Sequence, residues 1–280
     1  MNISRLDEVR QGGLRVFVGG EGRPVLLLHG LGGAARNWER IARELTARHR
    51  VVAPDLPGHG GSEPLARGAG LEAFVECLDA LLSGLRAAPA LVAGHSFGAQ
   101  LGLALAARRP ELVRGLLTVS PSGIQTRKRS ARALVRVTGL VRPGRRIAPL
   151  RHRYAGSRWF RRTVFGPWFV SDADTLEPET VLAFLDPQRE HRDTRTAARA
   201  MVAYDPRPDL GRVRCPALVL WGARDPQLPV ADAFEFARRL GAPVRVVADC
   251  GHLVIGERPD AVLDGIRYLD ELPLETEPLG

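Results

Sequence analysis

Three side chains in this sequence could together perform acyl transfer, and each stands just beyond an apolar run. Ser96 is the centre of Gly94-His95-Ser96-Phe97-Gly98; Ala90-Leu91-Val92-Ala93 leads into it and a helical pattern from Ala99 to Arg108 follows. The spacing predicts a strand, a sharp turn and a helix, with the serine at the apex. Such a turn needs small residues two before and two after the serine, because a Cβ at either flank would meet the neighbouring strand or helix. A serine hydroxyl is a poor nucleophile at neutral pH, so the chain must also supply a base and a group that orients the base. Ala217-Leu218-Val219-Leu220-Trp221 runs into Gly222-Ala223-Arg224-Asp225-Pro226, which puts a carboxylate on a loop past a strand end. Val244-Arg245-Val246-Val247 is followed by Asp249-Cys250-Gly251-His252, which puts an imidazole in the equivalent place on the next strand. Nucleophile, acid and base thus appear in the order Ser96, Asp225, His252.

Other residues compete for these roles. Asp249 is nearer to His252 in sequence, but three residues along an extended segment its side chain is expected to point away. His29, His59 and His95 also lie on strand-end loops, where they are expected to shape turns or to line a pocket, since no carboxylate loop follows any of them in the required order.

Five ordered segments resemble the α/β-hydrolase superfamily, closest to its capped esterase, lipase and carbon–carbon-bond hydrolase branch. They are Leu26-Leu27-Leu28-His29-Gly30-Leu31-Gly32-Gly33, Val51 to Ser62 with its Asp55-Leu56-Pro57-Gly58-His59-Gly60 turn, the Ser96 turn, the Asp225 loop, and Gly251-His252 followed by Glu257-Arg258-Pro259. The resemblance covers nearly the whole chain. It implies an oxyanion hole formed by the backbone N–H groups of Leu31 and Phe97, aimed at charge that appears only in the tetrahedral transition state. It also implies a helical cap inserted after the sixth strand. A serine nucleophile argues against the dehalogenase and epoxide hydrolase members, whose nucleophile is Asp.

One segment supports a rival reading. Gly30-Leu31-Gly32-Gly33-Ala34-Ala35 fits the dinucleotide fingerprint G-x-G-x-x-G/A, and Asp55 follows about 20 residues on. An NAD-binding oxidoreductase is therefore an alternative, though one that leaves the Ser96 turn and the His252 loop without a purpose.

The composition agrees with one large α/β domain and an elaboration. The chain has 280 residues, of which 45% are hydrophobic, enough to bury a sizeable core. Alternating strand and helix patterns at residues 24–120 and 213–272 imply a mostly parallel, helix-flanked sheet, with Arg5 to Arg10 and Leu14 to Val18 as an antiparallel hairpin at its edge. The expected division is a core of residues 1–121 and 206–280 with a helical, arginine-rich cap at 122–205. Trp159, Phe160, Phe165, Trp168 and Phe169 lie close together in the cap; with His29 and His95 they are candidate pocket residues, and the aromatics could equally build the cap's own core.

Formal net charge is +9, and no acidic residue occurs from Leu112 to Ser171. Nearly all the basic residues are Arg, Lys128 being the only lysine, so composition bias alone could produce the excess. Over Arg127 to Val141, Arg129, Arg132 and Arg136 share one helical face and Leu134, Val137 and Val141 another, which reads as a cap helix with a solvated basic face. Contact with a membrane surface is the less favoured reading, and no motif supports nucleic acid. The first five residues lack an apolar signal core and no run of 18 apolar residues occurs, so a cytoplasmic protein is expected. Cys77, Cys215 and Cys250 show no metal-like spacing and read as buried reduced thiols, with a redox role for Cys250 conceivable from its place two residues before His252. Neither metal nor cofactor is expected, and the oligomeric state is open. The expected chemistry is hydrolysis of a carboxylic ester, or a related acyl bond, of a largely apolar small molecule through an acyl-enzyme. The same constellation could serve a carbon–carbon hydrolase, an acyltransferase, or an enzyme cleaving thioesters or lactones; a non-catalytic ligand-binding protein of this fold is the reading of a different class.

Overall fold

The computed structural model describes residues 6–124 and 148–272. Eight strands form one sheet in the order β1-β2-β4-β3-β5-β6-β7-β8. The edge is the hairpin β1 (Asp7–Gln11) and β2 (Leu14–Gly19), antiparallel to each other, with β2 also antiparallel to β4 (His49–Pro54). From there the sheet is parallel through β3 (Arg23–Leu28), β5 (Ala90–His95), β6 (Val113–Val119), β7 (Ala217–Gly222) and β8 (Val244–Val247).

The apolar runs take this form because both faces of the sheet are covered, so consecutive residues of a central strand are all buried. Alternate residues serve opposite faces. Leu26, Leu28, Val52 and Val92 enter one core with helices α2 (Leu71–Gly84) and α3 (Phe97–Arg108), while Val25, Leu27, Val51, Leu91 and Ala93 enter the other with α1 (Glu39–Leu45) and the helix Pro259–Glu271. Because the central strands are parallel, their carboxyl ends, and the loops that leave them, gather along one edge. The Ser96 turn leaves β5, the Asp225 loop leaves β7 and the His252 loop leaves β8.

Between β6 and β7 the described residues form helices and no strand, among them Arg158–Val164, Pro178–Leu185 and Thr194–Ala203. These pack a small core of Phe160, Phe165, Val170, Leu176, Val181 and Leu185, joined by Leu253 from the histidine loop. The basic helical face expected over Arg127 to Val141 lies outside the described residues. Within them, the long acid-free stretch is answered by acids that follow it in sequence. Asp174 pairs with both Arg158 and Arg162 at 2.5 Å, and their hydrogen bonds hold its carboxyl down at about 2. Asp186 pairs with Arg36 and Arg151. No helix among the described residues is long and apolar enough to cross a membrane.

Candidate active site

Ser96 joins β5 to α3 with φ 52° and ψ −111°, a left-handed backbone that a residue with a Cβ adopts only under strain. Its flanking glycines make the turn possible. A Cβ on Gly94 would lie 2.4 Å from the Gly98 carbonyl oxygen, and one on Gly98 only 2.2 Å from that of Leu28. Gly30 belongs to the same close packing: its missing Cβ would lie 3.3 Å from Ser96 Cβ. The loop Gly30–Gly33 therefore runs against the nucleophile. Among the described residues, neither the Leu31 nor the Phe97 backbone N–H donates to an acceptor. Two unengaged amides thus lie near the serine, one on the residue that follows it and one on the loop packed against it.

Asp225 and His252 meet directly. His252 Nδ1 donates to Asp225 Oδ2 at 2.8 Å, and the two side chains are only 5% and 0% exposed. Asp225 Oδ1 accepts from the backbone N–H groups of Gln227 and Leu228 at 2.8 and 2.9 Å, so the carboxylate is held by three donors. This bonding leaves Nε2 as the basic nitrogen, turned away from the acid. The loops come this close because Gly222 lacks a side chain: a Cβ there would lie 2.0 Å from the Gly251 carbonyl oxygen. Asp249 instead pairs with Arg224 at 2.8 Å on the surface, with 72% of its side chain exposed.

His95, the neighbour of Ser96, carries the histidine loop to the turn. Its Nε2 donates to the His252 carbonyl at 2.8 Å, and the two rings stand 4.9 Å apart. Burial pushes the His95 pKa down to about 3, so its ring is neutral and structural. Ser96 Oγ and His252 Nε2 are not hydrogen-bonded in the structure; nucleophile–base contacts of this kind are commonly long until substrate binds.

The family model described as Alpha/beta hydrolase family matches residues 25–264. The chain belongs to the α/β-hydrolase family. (E)-2-((N-methylformamido)methylene)succinate hydrolase of Acinetobacter baylyi is 30% identical to this hydrolase-family chain over 268 residues, 94% of each protein. Lipase LipV of Mycobacterium tuberculosis is 30% identical over 252 residues, 87% of this chain and 91% of the lipase. The enol-lactonase of Burkholderia xenovorans superposes with a TM-score of 0.75 at 23% identity, covering 95% of this chain and all of that one. One further relative at 30% identity is longer, and the chain spans 64% of it.

The expected pocket residues of this α/β-hydrolase lie at different depths. His29 is fully buried; its Nδ1 donates to the Gly30 carbonyl at 2.8 Å and its Nε2 accepts from the Leu56 N–H at 2.9 Å, so it ties two loops together. Burial lowers its pKa to about 3. His95 lies beneath the His252 loop, and Phe160 and Phe165 fill the cap core. All four have little accessible surface. Trp159, Trp168 and Phe169 remain outside the cap core, with Trp159 72% and Trp168 63% exposed. Of the three, Trp168 and Phe169 belong to a segment anchored at the site: the Trp168 carbonyl accepts from Gln227 Nε2 at 2.9 Å and the Phe169 carbonyl from the Leu253 N–H at 3.0 Å.

Asp55, which the dinucleotide reading needs for a ribose, is buried and engaged by Arg15 Nε at 2.6 Å and by the Ala35 and Gly61 amides at 2.9 Å each. Buried, with both oxygens already engaged, it is not presented to a sugar, which counts against that alternative. The three cysteines are free thiols, Cys250 buried and the others half-buried. Burial pushes all three thiol pKa values up, which works against a redox role for Cys250.

Three residues at the site were given no role in the sequence reading. Glu257 is buried and uses both carboxylate oxygens: Oε2 accepts from the Gly251 N–H at 2.7 Å and Oε1 from Ser171 at 2.8 Å, tying the histidine loop to the cap. Burial raises its pKa, and the backbone donors partly offset this. Gln188 and His191 reach from the cap to the Gly32 carbonyl. Glu257 carried a signal, its place five residues after His252 and before Pro259. Gln188 and His191 carried none, being isolated polar residues in a segment without periodicity.

Proposed function

We propose that this protein is a serine hydrolase that cleaves a carboxylic ester, or a related acyl bond, of a largely apolar small molecule. One arrangement carries the reading: a strained serine near two unengaged backbone amides, beside a histidine locked by a buried carboxylate. His252 Nε2 takes the Ser96 hydroxyl proton as Oγ bonds to the carbonyl carbon, and the Leu31 and Phe97 amides receive the oxyanion. Asp225 stabilises the imidazolium. Collapse of the tetrahedral adduct expels the alcohol, which leaves with the proton from His252, and the acyl group stays on Ser96. Water then attacks the acyl-enzyme with His252 again as base, releasing the acid and restoring Ser96. A relative named as a lipase supports an ester over the other acyl bonds that this machinery could cleave.

A fluorophosphonate probe and an activated ester test the reading. One adduct by intact mass is expected in the wild type and none in Ser96→Ala, with ester turnover lost in parallel. Labelling that persists in Ser96→Ala would remove Ser96 from the role.

A further inference from the structure

The loop that presents the Leu31 amide is gripped peptide by peptide. A trans peptide is planar, so its carbonyl oxygen and the next N–H move as one rigid unit. The Gly30–Leu31 unit is held at the Gly30 oxygen by His29 Nδ1 at 2.8 Å and by the Gly33 N–H at 3.0 Å. The next unit, Leu31–Gly32, is held at the Gly32 N–H, which donates to His59 Nε2 at 3.0 Å. The third, Gly32–Gly33, is held at the Gly32 oxygen, which accepts from His191 Nε2 at 2.9 Å and Gln188 Nε2 at 2.5 Å. The three imidazoles stand in a row, His29 to His59 at 5.1 Å and His59 to His191 at 5.4 Å between ring centroids.

Two of these grips come from the core and are fully buried; the third comes from the cap. His191 Nδ1 accepts from the Gly60 N–H at 2.9 Å, which leaves the proton on Nε2, where it faces the Gly32 oxygen. The cap segment is itself seated on the same loop. The Gly58 oxygen accepts from the Arg192 and Asp193 amides at 3.0 Å each, and a Cβ on Gly58 would stand 2.2 Å from the Asp193 carbonyl oxygen. Gly32 has φ +73°, and no atom lies within 4 Å of where its Cβ would be, so no side-chain packing steadies this turn and the hydrogen bonds must.

We propose that Gln188 and His191 are positioning residues through which the seated cap completes the oxyanion loop. Their hydrogen bonds go to the loop and not to the nucleophile. By fixing the Gly32–Gly33 peptide they limit rotation about the Leu31 and Gly32 dihedrals, and so hold the Leu31 N–H on the line where an oxyanion forms. The cap's contribution is then to the chemical step as well as to enclosing the substrate. This rests on the serine-hydrolase reading above, and its test separates the two.

Gln188→Met keeps the length of the side chain and removes the donor; His191→Gln is the companion variant, and neither alters the triad. With a small activated ester that does not reach the cap, each is expected to lower kcat roughly tenfold with KM within about twofold, because a loosened oxyanion donor weakens transition-state binding alone. The inhibition constant of a trifluoromethyl ketone, which places an oxyanion in the hole, should rise by the same factor, while Gln188→Glu, which faces the Gly32 oxygen with an acceptor, should be worse than Gln188→Met. Amide hydrogen exchange of residues 29–34 should quicken in Gln188→Met with or without the Ser96→Ala change. Unchanged kcat, a rise in KM alone, or unchanged exchange in Gln188→Met would overturn the clamp. A wild type that takes no fluorophosphonate at Ser96 would instead refute the hydrolase reading, and exchange would still judge the clamp.

Discussion

Asp225→Asn exposes how the triad is held, because the structure dictates which way the new amide must face. The Oδ1 position receives two backbone N–H donors, at 2.8 and 2.9 Å, and the Oδ2 position receives the His252 Nδ1 proton at 2.8 Å. If the amide oxygen stays with the two backbone donors, the NH2 faces Nδ1. The ring must then accept there and carry its proton on Nε2, and in that tautomer it cannot deprotonate Ser96. If the amide flips to restore the working tautomer, its buried NH2 faces two N–H groups; the part-buried Leu228 N–H loses its acceptor and the new NH2 finds none, while the Gln227 N–H can turn to solvent. Leaving a buried donor unsatisfied costs about 1–3 kcal/mol, so with the Leu228 N–H and the amide's own NH2 both without an acceptor the flip costs roughly 2–6 kcal/mol. At about 1.4 kcal/mol per decade, kcat should fall by roughly 30-fold to 10⁴-fold. The folded state loses little, since the wrong tautomer satisfies every bond. The assay is kcat and kcat/KM on an activated ester alongside thermal melting, with Asp249→Asn as control; Asp249 is exposed and paired with Arg224 on the surface, so its loss should be mild. Asp225→Asn within tenfold of wild type at an unchanged melting temperature, or a larger loss in Asp249→Asn, would refute this account.

Other consequences follow from burial and close packing. Gly98→Ala would press a Cβ to 2.2 Å from the Leu28 oxygen and 2.6 Å from that of His29, so unfolding should become easier by at least about 3 kcal/mol; Gly211→Ala, in open space, should be neutral, and chemical denaturation of both variants checks the contrast. His29 and His95 have pKa values of about 3 against an ordinary 6.5, so below pH 6.5 the unfolded chain binds protons that the folded chain refuses. Stability should therefore be fully present above that pH and decline as pH falls toward 3; a denaturation midpoint at pH 5 equal to or above that at pH 7.5 would contradict the buried neutral state of these rings.

How much of this was legible in sequence depends on how local the cause is. The strands could be read because a strand buried on both faces needs an unbroken apolar run, as Ala90 to Ala93 and Ala217 to Trp221 supply. The turn at Ser96 could be read because its glycines answer clashes within a few ångströms. Even so, the clash partners differ: Gly94 faces the helix it precedes, whereas Gly98 faces a carbonyl on β3, some 70 residues away in sequence. The placement of Asp225 and His252 at adjacent strand ends followed from chain order together with a parallel sheet.

What the sequence could not decide was which groups long-range contacts would use up. Among the cap aromatics, only packing distinguished the buried Phe160 and Phe165 from the exposed Trp159 and Trp168. The arginine excess looked uncompensated along the chain because Asp174 and Asp186 lie past the acid-free stretch, and folding brings them back onto it. Asp55 looked free to bind a ribose until folding engaged it with Arg15 and two amides. The three histidines that hold the Leu31 loop belong to segments up to 160 or so residues apart, two from the sheet and one from the cap. A strand end or a glycine turn is determined by a few neighbouring residues and their sterics, so the sequence alone could specify it; a hydrogen bond from His191 to the Gly32 oxygen exists only where the cap comes to rest.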